Sequence, residues 1–403
     1  MRATLFLFSF IIFACSPEHK EVQSPKAPNI LFIAVDDLRP QLGSYGVETV
    51  QSPNIDKLAI QSSLFLNAYC NVPVCGASRA SLLSGRRPGY YRYLHYFTRL
   101  EQETPDVSPM NLYFMNNGYN TLSLGKIYHH QDDFDQGWHF VDDFVTPRGW
   151  RDYVLRENIT MEKTEGNKGP TYERADVPDS VYRDGIIACN AIRALDSLGT
   201  SEKPFFLAVG FLKPHLPFNA PKKYWDMYDP DQFEVPEAGF RPSNAPEESF
   251  HNSGELRHYS GVPSKGVVSD SLARTLIHGY HACVSYTDAQ IGMVLDALRE
   301  KGLEESSIVV LWGDHGWNLR EHGMWCKHCL YETSLHVPLI IKAPAIKPGK
   351  IKGIAEYVDL YPTLCEITGL NKPEHLDGNS LLPMMTDPEN PGDGVAISKW
   401  YDG

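Results

Sequence analysis

Five stretches of the chain, residues 29–35, 121–124, 205–211, 307–312 and 337–341, are apolar at nearly every position and rich in β-branched and aromatic side chains. A strand without polar alternation must be buried on both faces, as in a parallel sheet covered by helices. Between these runs, residues 55–62, 109–117, 181–198, 272–301 and 358–368 carry apolar side chains at helical spacing, which predicts amphipathic helices. Gly118, Gly199, Gly302 and Gly369 follow four of them and predict left-handed stops. Strands alternating with helices predict an α/β fold with a large, mostly parallel sheet and helices on both faces.

Polar residues follow the buried runs: Asp36 and Asp37 after the first, Lys126 and His129 after the second, Lys213 and His215 after the third, Asp314 and His315 after the fourth. Ligands of open α/β sheets bind beyond the carboxyl ends of the strands, so four strand ends are expected to deliver these groups to one rim. Residues 141–180 and 226–270 lack periodicity and are expected to be insertions that shape a substrate pocket. Residues 394–398 predict one more strand near the chain end.

With 37 basic against 50 acidic residues the formal charge is −13, which argues against nucleic-acid binding. An anionic ligand would need a few local cations. Eight cysteines in 403 residues are too few for a disulfide scaffold. At the N-terminus Arg2 precedes an apolar run, Leu5 to Phe13, which ends in Ala14-Cys15. The run is too short to span a bilayer and reads as a signal peptide. Its ending resembles a bacterial lipobox, which implies lipidation of Cys15, a polar tether and export to the periplasm or cell surface. Membrane contact is expected only through that anchor.

Cys75-Gly76-Ala77-Ser78-Arg79 opens a helical pattern and leads into Ser84-Gly85-Arg86-Arg87-Pro88. A Cys beside Arg at a helix start is open to two readings, a thiolate nucleophile or an inert buried thiol. The spacing Cys-x-Ala-Ser-Arg followed by Gly-Arg resembles the signature of type I sulfatases, in which that Cys is oxidised to formylglycine. Further matches in the same order are Asn29 to Pro40, Ser52 to Ala59, Gly125-Lys126-Ile127-Tyr128-His129, Lys213-Pro214-His215 and Gly313-Asp314-His315-Gly316-Trp317. The resemblance runs from about Asn29 to about Leu382 and looks closest to the iduronate-2-sulfatase branch.

The resemblance implies an alkaline-phosphatase-like fold with a mixed, mostly parallel sheet and a small C-terminal subdomain. The domains expected are a lipoprotein signal peptide (1–14), a tether (15–27), a catalytic domain (28–390) and the start of a C-terminal subdomain cut short at 403. It also implies hydrolysis of a sulfate ester on a sulfated oligosaccharide or polysaccharide, such as a 2-O-sulfated uronic acid. The nucleophile would be the hydrated formylglycine made from Cys75 by a maturation enzyme. Asp36, Asp37, Asp314, His315 and residue 75 would hold a divalent metal, and three carboxylates suit Ca2+. Arg79, Lys126 and Lys327 would gather charge from the sulfate. His129 would orient or deprotonate the diol, and His215 would be the general acid at the leaving oxygen. His315 departs from the Asn that many sulfatases carry there.

Two alternatives stay open: a phosphoester or phosphonate hydrolase of the same superfamily, and a non-catalytic binder of sulfated glycans. Cys326 and Cys329 flank Lys327, but one C-x-x-C lacks the other ligands of a zinc site and is expected to be structural. Cys70, Cys189, Cys283 and Cys365 are expected to be small buried apolar groups, and Asp288 a structural residue inside its helix. Tyr90, Tyr91, Tyr93 and His95 stand where the iduronate branch keeps a substrate-facing loop, and their wording differs from it.

Overall fold

The structure is a computed structural model, and it describes residues 27–142, 148–237 and 241–401. The apolar leader with Cys15 lies outside the described residues. No described helix is long and apolar enough to cross a membrane.

Eight strands form the central sheet: β1 (Asn29–Val35), β2 (Ser63–Tyr69), β3 (Asn120–Gly125), β4 (Phe140–Val141), β5 (Phe205–Phe211), β6 (Ser307–Gly313), β7 (His336–Lys342) and β8 (Gly349–Glu356). Their order is β8-β2-β7-β6-β1-β5-β3-β4. β1 pairs in parallel with β5 and β6, setting Ile30 opposite Phe206 and Ile308, and β3 runs parallel to β5. Only β7 is antiparallel to its neighbours, β6 and β2. The sheet is therefore mixed and mostly parallel, as the apolar runs predicted.

Six helices matter for the core: α1 (Pro53–Ile60), α2 (Cys75–Ser84), α3 (Met110–Asn116), α4 (Arg183–Leu198), α5 (Asp270–Glu300) and α6 (Leu360–Thr368). Period-two side chains divide β1 between two cores. Leu31, Ile33 and Val35 pack with Leu58 of α1, Ile187 and Leu195 of α4, and Val284 and Ile291 of α5. Ile30, Phe32 and Ala34 pack with Leu82 of α2, Phe114 of α3 and Leu364 of α6 on the other face. Asp288 on α5 receives hydrogen bonds from the backbone of Asn54 (3.1 Å) and Ile55 (2.8 Å), satisfying amides that α1 leaves unpaired at its start.

Gly118, Gly302 and Gly369 are left-handed, as their positions after helices predicted. Gly199 is not: its φ of −63° continues the right-handed turn of α4. Residues 394–398 form no strand. Ile397 instead donates its amide to Glu356 (2.8 Å), and the Ser398 hydroxyl donates to the Cys70 carbonyl, so side-chain contacts hold a segment that the apolar pattern assigned to a ladder. Cys70, Cys283 and Cys365 are buried thiols, while Cys189 is only partly buried, and Cys326 and Cys329 are both free.

Candidate active site

β6, β1, β5 and β3 are consecutive in the sheet, and their carboxyl ends open on one rim. Asp37, two residues beyond β1, has φ +61°, a conformation an L side chain adopts at a cost. Three contacts hold it there: its amide donates to Asp314 Oδ1 (3.0 Å), its carbonyl accepts from Tyr280 (2.9 Å), and Lys327 meets its carboxylate (3.1 Å).

α2 enters this rim at its N-terminus, with Cys75 as its first residue. Gly76 is required by close approach, because a Cβ there would lie 2.3 Å from the Tyr96 carbonyl. One turn on, the wholly buried Arg79 ties three strand ends together. Its Nη2 donates to Asp36 Oδ1 (3.0 Å), its Nε to Asp314 Oδ2 (2.9 Å), and its Nη1 to the carbonyls of Lys126 (2.5 Å) and Ile127 (3.0 Å).

Cations and carboxylates then alternate around Cys75. Lys126 Nζ lies 2.5 Å from Asp36 Oδ2, and Lys327 Nζ bridges Asp37 and Glu255 at 3.1 and 3.0 Å. His315 Nδ1 faces the Gly316 carbonyl at 3.0 Å, which can only accept, so the ring proton belongs there. Its Nε2 faces Cys75 Sγ (3.1 Å) and Asp37 (3.5 Å). Burial raises the Asp36 carboxyl, but Lys126, His215 and Arg79 outweigh it and hold the group well below the ordinary carboxylate range. Burial dominates at Asp37, whose carboxyl is raised despite Lys327. Burial, reinforced by Asp36, pushes the Cys75 thiol well above its ordinary value, so the unmodified side chain is a poor source of thiolate.

Carboxylate oxygens of Asp36, Asp37 and Asp314 lie within 4.8 Å of one another, and Asp37, Cys75 and His315 form a second such group. Three buried carboxylates facing one point fit a divalent cation. His215 comes from the loop after β5, with Nε2 3.9 Å from Asp37 and 3.1 Å from Glu255. His129 is not hydrogen-bonded into this group. Its Nδ1 is buried without a partner, and burial beside Lys126 lowers the ring's pKa to about 2. Its ring packs edge-on against the half-exposed Tyr96. Lys213 follows a buried strand yet turns away from the rim, donating to the carbonyls of His215 and Pro217 (both 2.7 Å). Glu255 had no signal in the sequence.

Residues 28–370 match the family model described as Sulfatase. Mouse iduronate 2-sulfatase is 33% identical over 417 residues, covering 92% of this chain and 74% of the relative. A phosphonate monoester hydrolase from Silicibacter pomeroyi superposes with a TM-score of 0.72 at 23% identity, covering 93% of this chain and 78% of that one. A protein solved in complex with its substrate, D-glucosamine-2-N,6-O-disulfate, superposes with a TM-score of 0.71 at 23% identity, covering 94% and 84%. These two solved structures share the fold.

Proposed function

The chain belongs to the sulfatase family and is a sulfuric ester hydrolase; from that premise we propose that it removes sulfate from a sulfated glycan, with a 2-O-sulfated uronic acid as the first candidate sugar. One observation carries the reading. The motif Cys75 stands at the head of α2 between three carboxylates, with Arg79, Lys126 and Lys327 placed around it. The similarity to iduronate 2-sulfatase supports the choice of sugar.

A formylglycine made at Cys75 would supply, as its hydrate, a nucleophilic hydroxyl and a second ionisable hydroxyl at the head of α2. Asp36, Asp37, Asp314, His315 and residue 75 would hold a divalent cation, calcium by the hardness of the oxygens, which supplies charge neutralisation and makes a bound hydroxyl more acidic. Lys126 and Lys327 present ammonium hydrogens to sulfate oxygens as charge builds there. Arg79, wholly enclosed, keeps Asp36 and Asp314 in place. His129, kept a neutral ring by burial beside Lys126, orients the diol, and His215 is the general acid at the departing sugar oxygen.

The apolar leader and Cys15 support an exported lipoprotein, with periplasmic or cell-surface placement, matured by a formylglycine-generating enzyme. The test is the mass of the peptide containing Cys75, from protein made together with such an enzyme, followed by sulfate release from sulfated disaccharides. An aldehyde at residue 75 with release from 2-O-sulfated uronates is the expected result. A persistent thiol beside a modified control protein, or phosphate release exceeding sulfate release, would overturn it in favour of the phosphoester or phosphonate reading.

A further inference from the structure

Of the seven tryptophans, all within the described residues, Trp150 alone is exposed, with half of its surface open to solvent. It stands at the mouth of the site. Its ring lies edge-on to the His215 ring at 6.1 Å, and a ring nitrogen of His215 is within 4.8 Å of Cys75 Sγ. One face of the indole is covered. The Arg151 guanidinium lies 4.4 Å from the ring centroid, Glu162 pairs with that guanidinium (2.8 Å), and the Asn219 side chain donates to the Arg151 carbonyl (2.8 Å). A second exposed ring bounds the mouth at His129. Tyr96 packs edge-on 6.0 Å from that imidazole, is backed by Phe97 at 3.8 Å, and has its carbonyl over Gly76, next to Cys75.

A lone exposed aromatic on a protein surface is ordinary. Two at the mouth of one polar site, each against an imidazole of that site, give a charged pocket an apolar frame. The cations and carboxylates around Cys75 account for a sulfate and a metal, but the organic part of an ester needs a surface of another kind. A pyranose carries hydroxyls around its edge and C–H groups on its faces, and weakly positive C–H groups are attracted to the negative face of an aromatic ring. Arg151 takes one face of Trp150 by a cation–π contact, so one face is left for such a partner. An indole has only two torsions to order, and here its neighbours already hold it, so little entropy opposes the contact.

We propose that Trp150 is a specificity-determining residue whose open face stacks on the pyranose that carries the scissile sulfate. The inference rests on the sulfated-glycan reading above. Trp150 meets the imidazole that reaches the position of the nucleophile, so the sugar attached to a sulfate held at residue 75 is the part of a glycan that comes within its reach. A contact made equally in the ground state and the transition state lowers KM and leaves kcat largely alone.

The experiment compares wild type, Trp150→Phe, Trp150→Leu and Trp150→Ala, each with the aldehyde at residue 75 confirmed by mass. The residue is half exposed, so these changes leave the core intact. The readouts are kcat and KM on the sulfated disaccharide that wild type turns over fastest, and competitive inhibition by inorganic sulfate, which meets the charged groups alone. Trp150→Leu and Trp150→Ala should raise KM about tenfold with kcat within about threefold, while the inhibition constant of sulfate stays within about twofold. Trp150→Phe, which keeps a flat ring, should recover part of the loss, whereas the leucine variant, apolar but without a π face, should not. A KM within about twofold of wild type for Trp150→Leu, a leucine variant as good as the phenylalanine one, or a sulfate inhibition constant that rises with KM would overturn the inference while leaving the sulfatase reading intact. An aldehyde-bearing wild type that releases sulfate from no sugar would instead remove the glycan reading, and this inference with it.

Discussion

Replacing Arg79 with methionine keeps the length of the side chain and removes its charge, which isolates what that guanidinium does for the site. Arg79 is wholly buried and paired with Asp36 and Asp314, which are themselves at most 1% exposed. Breaking a buried pair leaves an uncompensated charge and costs about 3–5 kcal/mol. Two carboxylates and two carbonyls lose their donor here, so the upper end applies. Taking an unfolding entropy of about 2.1 cal/mol/K per residue, a chain this long loses about 1.2 °C of Tm per kcal/mol, and the shift should be about 6 °C. The assay is calorimetric unfolding of both proteins in EDTA, so that metal bound by the same aspartates does not enter the comparison. The sign with pH is fixed as well. In the wild type the Asp36 carboxyl is held well below its ordinary value, so its contribution to stability is present above the unfolded pKa and is lost as pH falls toward the folded one. Without Arg79 that carboxyl keeps Lys126 and His215 but loses one of the three cations that hold it down, so it lies higher than in the wild type and gives up less stability on protonation. The gap between the two proteins should therefore narrow as pH falls below the ordinary carboxylate value of 3.8. A Tm within 1 °C of wild type at pH 7, or a gap that widens on acidification, would refute the account of Arg79 as the tie between strand ends.

Cys75→Ala should abolish turnover, with unfolding close to wild type, since the nucleophile is created at that side chain; residual activity near wild type in stopped assays would sink the mechanism. For His215→Ala, kcat should fall by about a hundredfold or more on a sulfated sugar and much less on an aryl sulfate, measured side by side. Asp288→Ala strips α1 of the acceptor for its Asn54 and Ile55 amides. That change should cost about 1–2 kcal/mol in urea unfolding with kcat unchanged, and a catalytic defect at full stability would contradict its structural assignment.

The parts of this molecule that the sequence showed are those fixed by local pattern. β1 and β5 were read to the residue because every position in them is buried, while β2 and β8 went unread because Ser63 and Asn67 interrupt the first and Lys350 and Lys352 the second. β8 is an edge strand, and polar side chains facing solvent erase the apolar signal there. The site follows the same logic with one refinement. A strand end fixes where a residue's backbone lies but leaves the direction of its side chain to tertiary contacts. Asp36 and Asp314 point into the rim because Arg79 holds them there, whereas Lys213, equally placed after a buried strand, points away because two carbonyls take its ammonium. Glu255 is the converse case. It follows no strand, and its partner Lys327 lies 72 positions away. It reaches the site because the Ser253 turn docks on Trp325, a contact that exists only once the chain has folded. Groups delivered by strand ends are thus open to sequence reasoning, and groups delivered by docked loops are not.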